Sequence, residues 1–273
     1  MAEARDYLLN GVRYHAVRHG NPTKSSLLLL HGFTGSGANW SEHVSVFSKQ
    51  YSVLSVDVLG HGRSACPPNP NRYAMPLVAT DIIALLDAWQ IVQTAVLGYS
   101  MGGRLALYLA CNYRERFSHL ILESSSPGLA TEPERAARRQ SDEALADWIE
   151  VKGIEAFVKR WEALPLWASQ AQLPDGVRQR LRQQRLQNSP VGLANSLRGM
   201  GTGAQPSLWP CLPTLTLPTL LIAGELDAKF ISINQQMAAQ LPDGRLHVIP
   251  HAGHTTHLER PSAFATAVTH FLG

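Results

Sequence analysis

Thr94-Ala95-Val96-Leu97-Gly98-Tyr99-Ser100-Met101-Gly102-Gly103 decides the reading of this 273-residue chain. The first four residues are a short apolar run of the kind that makes a buried strand, and Arg104-Leu105-Ala106-Leu107-Tyr108-Leu109-Ala110 continues as a helix-compatible stretch. Between them Gly98-Tyr99-Ser100-Met101-Gly102 fits G-x-S-x-G, a serine lifted on a tight strand-to-helix turn. A side chain at Gly98 or Gly102 would crowd a backbone that has to bend sharply there. The five letters alone also fit a glycine-rich turn with an idle serine; the strand before them and the helix after them favour a nucleophile.

Similar apolar runs recur outward from this point. Residues 27–30, 51–57, 120–122, 219–223 and 246–249 read as strands, and 82–89 as a helix. Tyr7 to Tyr14 reads as two strands joined at Asn10-Gly11, a strong hairpin signal. Short, continuously apolar strands alternating with helix-length segments predict an α/β fold, a mostly parallel sheet covered by helices on both faces. No internal repeat interrupts the pattern.

Between residues 129 and 209 the strand runs vanish, and the segment becomes helical and arginine-rich. Ile154, Phe157, Val158 and Trp161 there fall at the spacing of one helix face. The expected organisation is a core from 1–128 and 210–273, with 129–209 inserted as a helical lid. Most of its arginines, which are Arg135, Arg138, Arg139, Arg160, Arg178, Arg180, Arg182, Arg185 and Arg198, are expected to be solvated and paired with Glu132, Glu134, Glu143, Glu150 or Glu155.

Composition narrows the class. Hydrophobic residues make up 45% of the chain and charged ones 16%, which argues against disorder. A net charge of +3 with no Lys/Arg run gives no reason to expect nucleic acid as a partner. Cys66, Cys111 and Cys211 form an odd, widely spaced set without a C-x-x-C pair, which argues against a disulfide framework and fits a reducing cytoplasm. The start lacks a signal pattern and no apolar run reaches membrane-spanning length, so a cytoplasmic protein without a membrane partner is expected.

A serine hydroxyl needs a histidine to take its proton and an acid to orient that histidine. In chain order Ser, acid, His, the candidates are Ser100, Asp227 after the 219–223 strand, and His254 after the 246–249 strand. Glu225 and Glu123 are rival acids, and His251 and His257 rival bases. The spacing of His251, His254 and His257 also suggests a metal, but no coherent carboxylate or thiolate set accompanies it, and no metal or cofactor is expected. An oxyanion hole requires two convergent N–H groups. Met101, after the nucleophile, offers one, and Phe33 in the His31-Gly32-Phe33 loop the other. Arg104, four residues past Ser100, falls near the same helix face and invites an anionic substrate. The plain alternative is an arginine reaching a surface carboxylate.

His31-Gly32, the loop from Asp57 to Ser64, the Ser100 turn, Asp227 and His254 fall in an order that resembles the α/β-hydrolase family over the whole chain. Finer pieces resemble its 2-succinyl-6-hydroxy-2,4-cyclohexadiene-1-carboxylate synthases. They are Gly102-Gly103-Arg104, Ser126-Pro127-Gly128-Leu129, Ala136-Ala137-Arg138, Arg160-Trp161 before Leu164-Pro165, Gln184-Arg185, Ser196-Leu197-Arg198-Gly199-Met200-Gly201 and Asp227-Ala228-Lys229-Phe230. The triad is general to the superfamily; the Gly-Gly-Arg and the lid pieces select the synthases. The resemblance implies a lyase of menaquinone or phylloquinone synthesis that removes a ring proton and expels pyruvate from a small tricarboxylate. It also implies that Arg104, Arg138 and Arg185 hold carboxylates while Tyr99 and Trp161 line the site. Arg138 is followed by Arg139 rather than an aromatic, a departure that bears on the register of the lid arginine. A serine hydrolase, either a carboxylesterase or a carbon–carbon bond hydrolase, would need the same triad, and neutral esters would gain nothing from the arginines. A non-catalytic receptor on this fold would have no use for an intact Ser, Asp and His set.

Overall fold

The computed structural model describes residues 2–273. Its strands are β1 (Ala2–Leu9), β2 (Val12–His19), β3 (Ser26–Leu30), β4 (Ser52–Val56), β5 (Thr94–Tyr99), β6 (Phe117–Glu123), β7 (Thr219–Gly224) and β8 (Gly244–Ile249). They form one sheet in the order β1-β2-β4-β3-β5-β6-β7-β8. Every pairing from β4 to β8 is parallel, and only the β1–β2 hairpin joins antiparallel. The hairpin closes with Leu9 opposite Val12, across Asn10 and Gly11, both at positive φ as a two-residue turn demands.

The helices are α1 (Ser41–Phe47), α2 (Met75–Ala88), α3 (Met101–Asn112), α4 (Glu132–Glu162), α5 (Asp175–Leu186), α6 (Pro190–Met200), α7 (Ala228–Ala238), α8 (Thr256–Glu259) and α9 (Pro261–Leu272). They explain why β3 is apolar from Leu27 to Leu30. Leu28 and Leu30 pack with Leu85, Leu105 and Met237 of α2, α3 and α7, while Leu27 and Leu29 pack with Phe47 and Phe264 of α1 and α9. The reading of 82–89 as a helix was two turns short at its start. Asp81 breaks the apolar pattern there, yet it is buried because Tyr14 and Arg72 donate hydrogen bonds to it at 2.7–2.8 Å.

Between β6 and β7 there is no strand. Thr131 and Glu134 cap α4 reciprocally, and Gly153 at φ 78° turns the chain within it. Beyond the turn, Ile154, Phe157, Val158 and Trp161 share the apolar face expected of them and pack with Leu193, Ala194 and Leu197 of α6. The two ends of the insertion are pinned together: the Leu208 N–H donates to Pro127 O (2.8 Å) and the Trp209 ring N–H to Gly128 O (3.0 Å). Arg135 and Arg139 pair with Glu132, and Arg198 with Glu143, Asp147 and Glu150, an arginine-rich solvated face. Glu134 serves the cap instead, and Glu155 pairs with none of the described arginines.

One expectation needs correcting. Cys111, at the end of α3, and Cys211, where the chain leaves the insertion, form a disulfide with Cα atoms 6.2 Å apart; only Cys66 is free. The pairing is invisible in sequence because the cysteines lie 100 residues apart, and the returning insertion brings them together. Among the described residues, no helix is long and apolar enough to cross a membrane.

Candidate active site

Ser100 stands between β5 and α3 with φ 51° and ψ −108°, a conformation an L-residue holds only where its surroundings impose it. Its N–H donates to Glu123 O at 2.8 Å and its carbonyl accepts from the Arg104 N–H at 3.0 Å. The glycines have the steric reason expected of them. A methyl group at Gly98 would overlap the Gly102 carbonyl, and one at Gly102 would overlap the Leu30 and His31 carbonyls. Gly103 approaches Ser125 as closely.

β7 and β8 run parallel to β5 beyond β6, so the loops after them leave the same end of the sheet as Ser100. His254 Nε2 lies 3.2 Å from Ser100 Oγ, and its Nδ1 lies 2.6 Å from Asp227 Oδ2. His254 and Asp227 are buried, and Phe230, Trp167 and Tyr99 surround the imidazole with ring centroids 4.7, 5.5 and 5.6 Å away. The rivals have gone elsewhere. Glu225 is exposed beside His251, whose N–H it accepts. Glu123 is buried beneath the site, where it accepts from the Thr256 hydroxyl, the His257 N–H and His257 Nδ1 at 2.6–2.9 Å. Burial pushes the Glu123 carboxyl up, but the His257 charge and these hydrogen bonds outweigh it, and the group titrates below its ordinary range. His251, His254 and His257 thus point to three different surroundings. The described residues include no group of three or more His, Cys, Asp or Glu placed to hold a metal.

Phe33 and Met101 flank Ser100 from the two loops expected to form an oxyanion hole. Among the described residues, neither N–H donates to another group. The Phe33 loop is fastened by His31, which accepts from the Val58 N–H through Nε2 (2.9 Å) and meets Gly32 O through Nδ1 (2.8 Å). An accepting Nε2 places the ring proton on Nδ1.

Ser100, His254, Phe33 and Met101 open into a cavity of about 680 Å³ between sheet and lid. Arg104 lines it and bonds the Met200 carbonyl (2.7 Å) and Gln205 Oε1 (2.9 Å). Among the described residues it makes no ion pair, so it does not serve a surface carboxylate. Burial, helped by the positive Arg138 and countered by Asp142, pulls its guanidinium down to about 10, still charged at neutral pH. Arg138 and Trp161 also line the cavity, Arg138 braced at 2.7 Å by Asp142. Arg139 turns away to Glu132 and Gly203.

Tyr99 and Arg185 lie outside the lining of this cavity and together line an adjoining pocket with Phe33 and Trp167. The Tyr99 ring packs beneath Gly32, and its hydroxyl is 3.0 Å from Thr255 Oγ1. Arg185 is 5% exposed; Glu162 and Gln170 hold its guanidinium at 3.1 and 3.2 Å, over the Trp167 ring. The Tyr99 hydroxyl and both Arg185 Nη atoms are engaged by neighbouring protein, while the buried Arg185 Nε has no partner among the described residues. Ser124 to Ser126, Ser196, Lys229 and Phe230 line the cavity unforeseen. The serines follow β6 at the sheet's carboxyl edge, and Lys229 and Phe230 open the helix after Asp227, two positions that could have marked them.

Residues 26–261 match the family described as the alpha/beta hydrolase fold. The chain belongs to the α/β-hydrolase family. This α/β hydrolase is 44% identical over 263 residues to a Bacillus subtilis (strain 168) protein provisionally named 2-succinyl-6-hydroxy-2,4-cyclohexadiene-1-carboxylate synthase, with 96% of each chain covered. An Enterobacter sp. (strain 638) protein of that name is 33% identical over 97% of this α/β hydrolase and 96% of its own length. Among solved structures, MenH from S. aureus superposes with a TM-score of 0.90 at 38% identity, covering 94% of this chain and 97% of its own.

Proposed function

We propose that this α/β hydrolase is a 2-succinyl-6-hydroxy-2,4-cyclohexadiene-1-carboxylate synthase, a cytoplasmic lyase of menaquinone or phylloquinone synthesis. Its substrate is 2-succinyl-5-enolpyruvyl-6-hydroxy-3-cyclohexene-1-carboxylate, a small tricarboxylate. Ser100 Oγ, polarised by His254 and oriented through Asp227, removes a ring proton. The electrons move through the ring, the carbon–oxygen bond to the enolpyruvyl group breaks, and pyruvate leaves with a proton restored to it. The Phe33 and Met101 N–H groups stabilise the negative charge that develops on the succinyl carbonyl. Arg104, Arg138 and Trp161 hold the substrate, and the reaction uses no cofactor.

The observation that carries this reading is Arg104. It is a charged guanidinium in the wall of the Ser100 cavity, one helical turn from the nucleophile, that bonds a carbonyl and an amide oxygen and makes no ion pair among the described residues, Asp142 acting on it only from a distance. A cation kept without a partner in a partly buried site stabilises an incoming anion more than it would in water. The test compares Arg104→Ala with wild type on two substrates. Pyruvate release from the tricarboxylate should lose about 2–5 kcal/mol of transition-state binding, the range for breaking a buried charge pair. Cleavage of a small neutral ester, if the protein has that side activity, should stay within a few-fold. Equal losses would mean that Arg104 supports the fold or the serine. Ester cleavage without pyruvate release by wild type would assign the site to a serine hydrolase.

A further inference from the structure

The lid segment Pro165–Gln172 rests directly on the loop that carries His254. Ser169 lies so close to Gly253 that no side chain fits there. Trp167 packs its ring against His254, and Gln170, 7% exposed, donates from Nε2 to Thr255 Oγ1 at 2.9 Å. Thr255 adjoins both halves of the triad: it follows His254 in the chain, and its hydroxyl also meets the hydroxyl of Tyr99, the residue before Ser100, at 3.0 Å. Glu259 accepts the Gly253 N–H (2.7 Å) and the Thr255 N–H (3.2 Å), so the backbone is clamped on either side of the histidine. On its lid side, Gln170 Oε1 accepts from Arg185 Nη2 at 3.2 Å, and Arg185 Nη1 donates to Glu162 at the end of α4.

We propose that Gln170 is a positioning residue which, through Thr255, makes docking of the lid and alignment of His254 toward Ser100 a single event. The contacts form an unbroken chain from α4 to the catalytic loop: half-buried Glu162, then buried Arg185, Gln170 and Thr255. A buried polar chain of this kind holds one geometry when every member is satisfied, and losing one link leaves its neighbours unpaired. His254 Nε2 stands at 3.2 Å from Ser100 Oγ, a distance at which a small shift of the loop changes proton transfer steeply. The inference rests on Ser100, Asp227 and His254 acting together as read above, but not on which substrate they act on.

The experiment uses Gln170→Leu, close in volume and without hydrogen-bonding atoms, Thr255→Val, and the double variant. Pyruvate release should show kcat reduced at least about tenfold in each single variant with KM within about twofold, because the loss is in alignment and not in holding carboxylates. The double variant should lose little more than either single one. Labelling of Ser100 by a small neutral fluorophosphonate should slow by a similar factor, and the low-field Nδ1 proton of His254 should broaden or shift by NMR. Should Gln170→Leu not fold, Gln170→Met and Thr255→Ser carry the same comparison, with Thr255→Ser restoring the rate. A rise in KM at unchanged kcat, losses that multiply in the double variant, or an unaltered His254 resonance would overturn the proposal. Absence of pyruvate release by wild type, with labelling still dependent on Gln170, would overturn the substrate reading and leave this one standing.

Discussion

His31 and His61 lie fully buried beneath the Phe33 loop, with ring centroids 5.2 Å apart. Burial pulls His31 down to about 4, against its bond to the Gly32 carbonyl, and burial with the neighbouring His31 pulls His61 down to about 3. In the unfolded chain both would bind protons near pH 6.5. Their neutral forms therefore contribute stability that is intact above about pH 6.5. It is lost as pH falls, down to about 4 for His31 and about 3 for His61, at about 1.4 kcal/mol per pH unit for each ring. Urea midpoints recorded from pH 7 to pH 4 should fall with a slope that His61→Asn reduces by about one proton. An unchanged slope would contradict a neutral His61 in the fold. At this scale the chain is most legible where a local requirement dictates a residue. Gly98 and Gly102 announce a bend in which a side chain at either position would overlap backbone carbonyls. The contacts of Tyr99 and Arg185 were not legible, because a long polar side chain goes wherever partners distant in sequence await it, and Thr255 and Gln170 lie 156 and 15 residues away.

Among the elements, the sheet was readable because strands buried on both faces are apolar at every position, as Leu27 to Leu30 are. The insertion was readable as helix, but its contacts with the core were not. The Cys111–Cys211 disulfide belongs to those contacts. It ties the end of α3 to the chain as it leaves the lid, and so closes a loop that contains the whole insertion. For a loop of that length the chain-entropy account gives about 4–5 kcal/mol of stabilisation through the unfolded state. Equilibrium unfolding in urea should show stability falling by a few kcal/mol on adding reductant, with Cys111→Ser matching the reduced protein and insensitive to it. Equal stability of the oxidised and reduced proteins would contradict a crosslink that constrains the unfolded chain.

For the whole molecule, a Ser-His-Asp geometry serves many chemistries on this architecture, so the fold alone does not choose the reaction. The proposed reaction rests instead on the cavity above the triad, which Arg104 and Arg138 line and beside which Gln170 of the helical insertion bonds the histidine loop. The central claim is that Ser100 and His254 serve as the base that expels pyruvate from an anionic ring substrate. The most direct measurement is pyruvate release from 2-succinyl-5-enolpyruvyl-6-hydroxy-3-cyclohexene-1-carboxylate by wild type, Ser100→Ala and His254→Ala, each verified as folded by its unfolding transition. The account predicts catalysed release by wild type and a loss of at least about a thousandfold in both variants. Release by either variant at the wild-type rate, or none by wild type above the uncatalysed reaction, would contradict it.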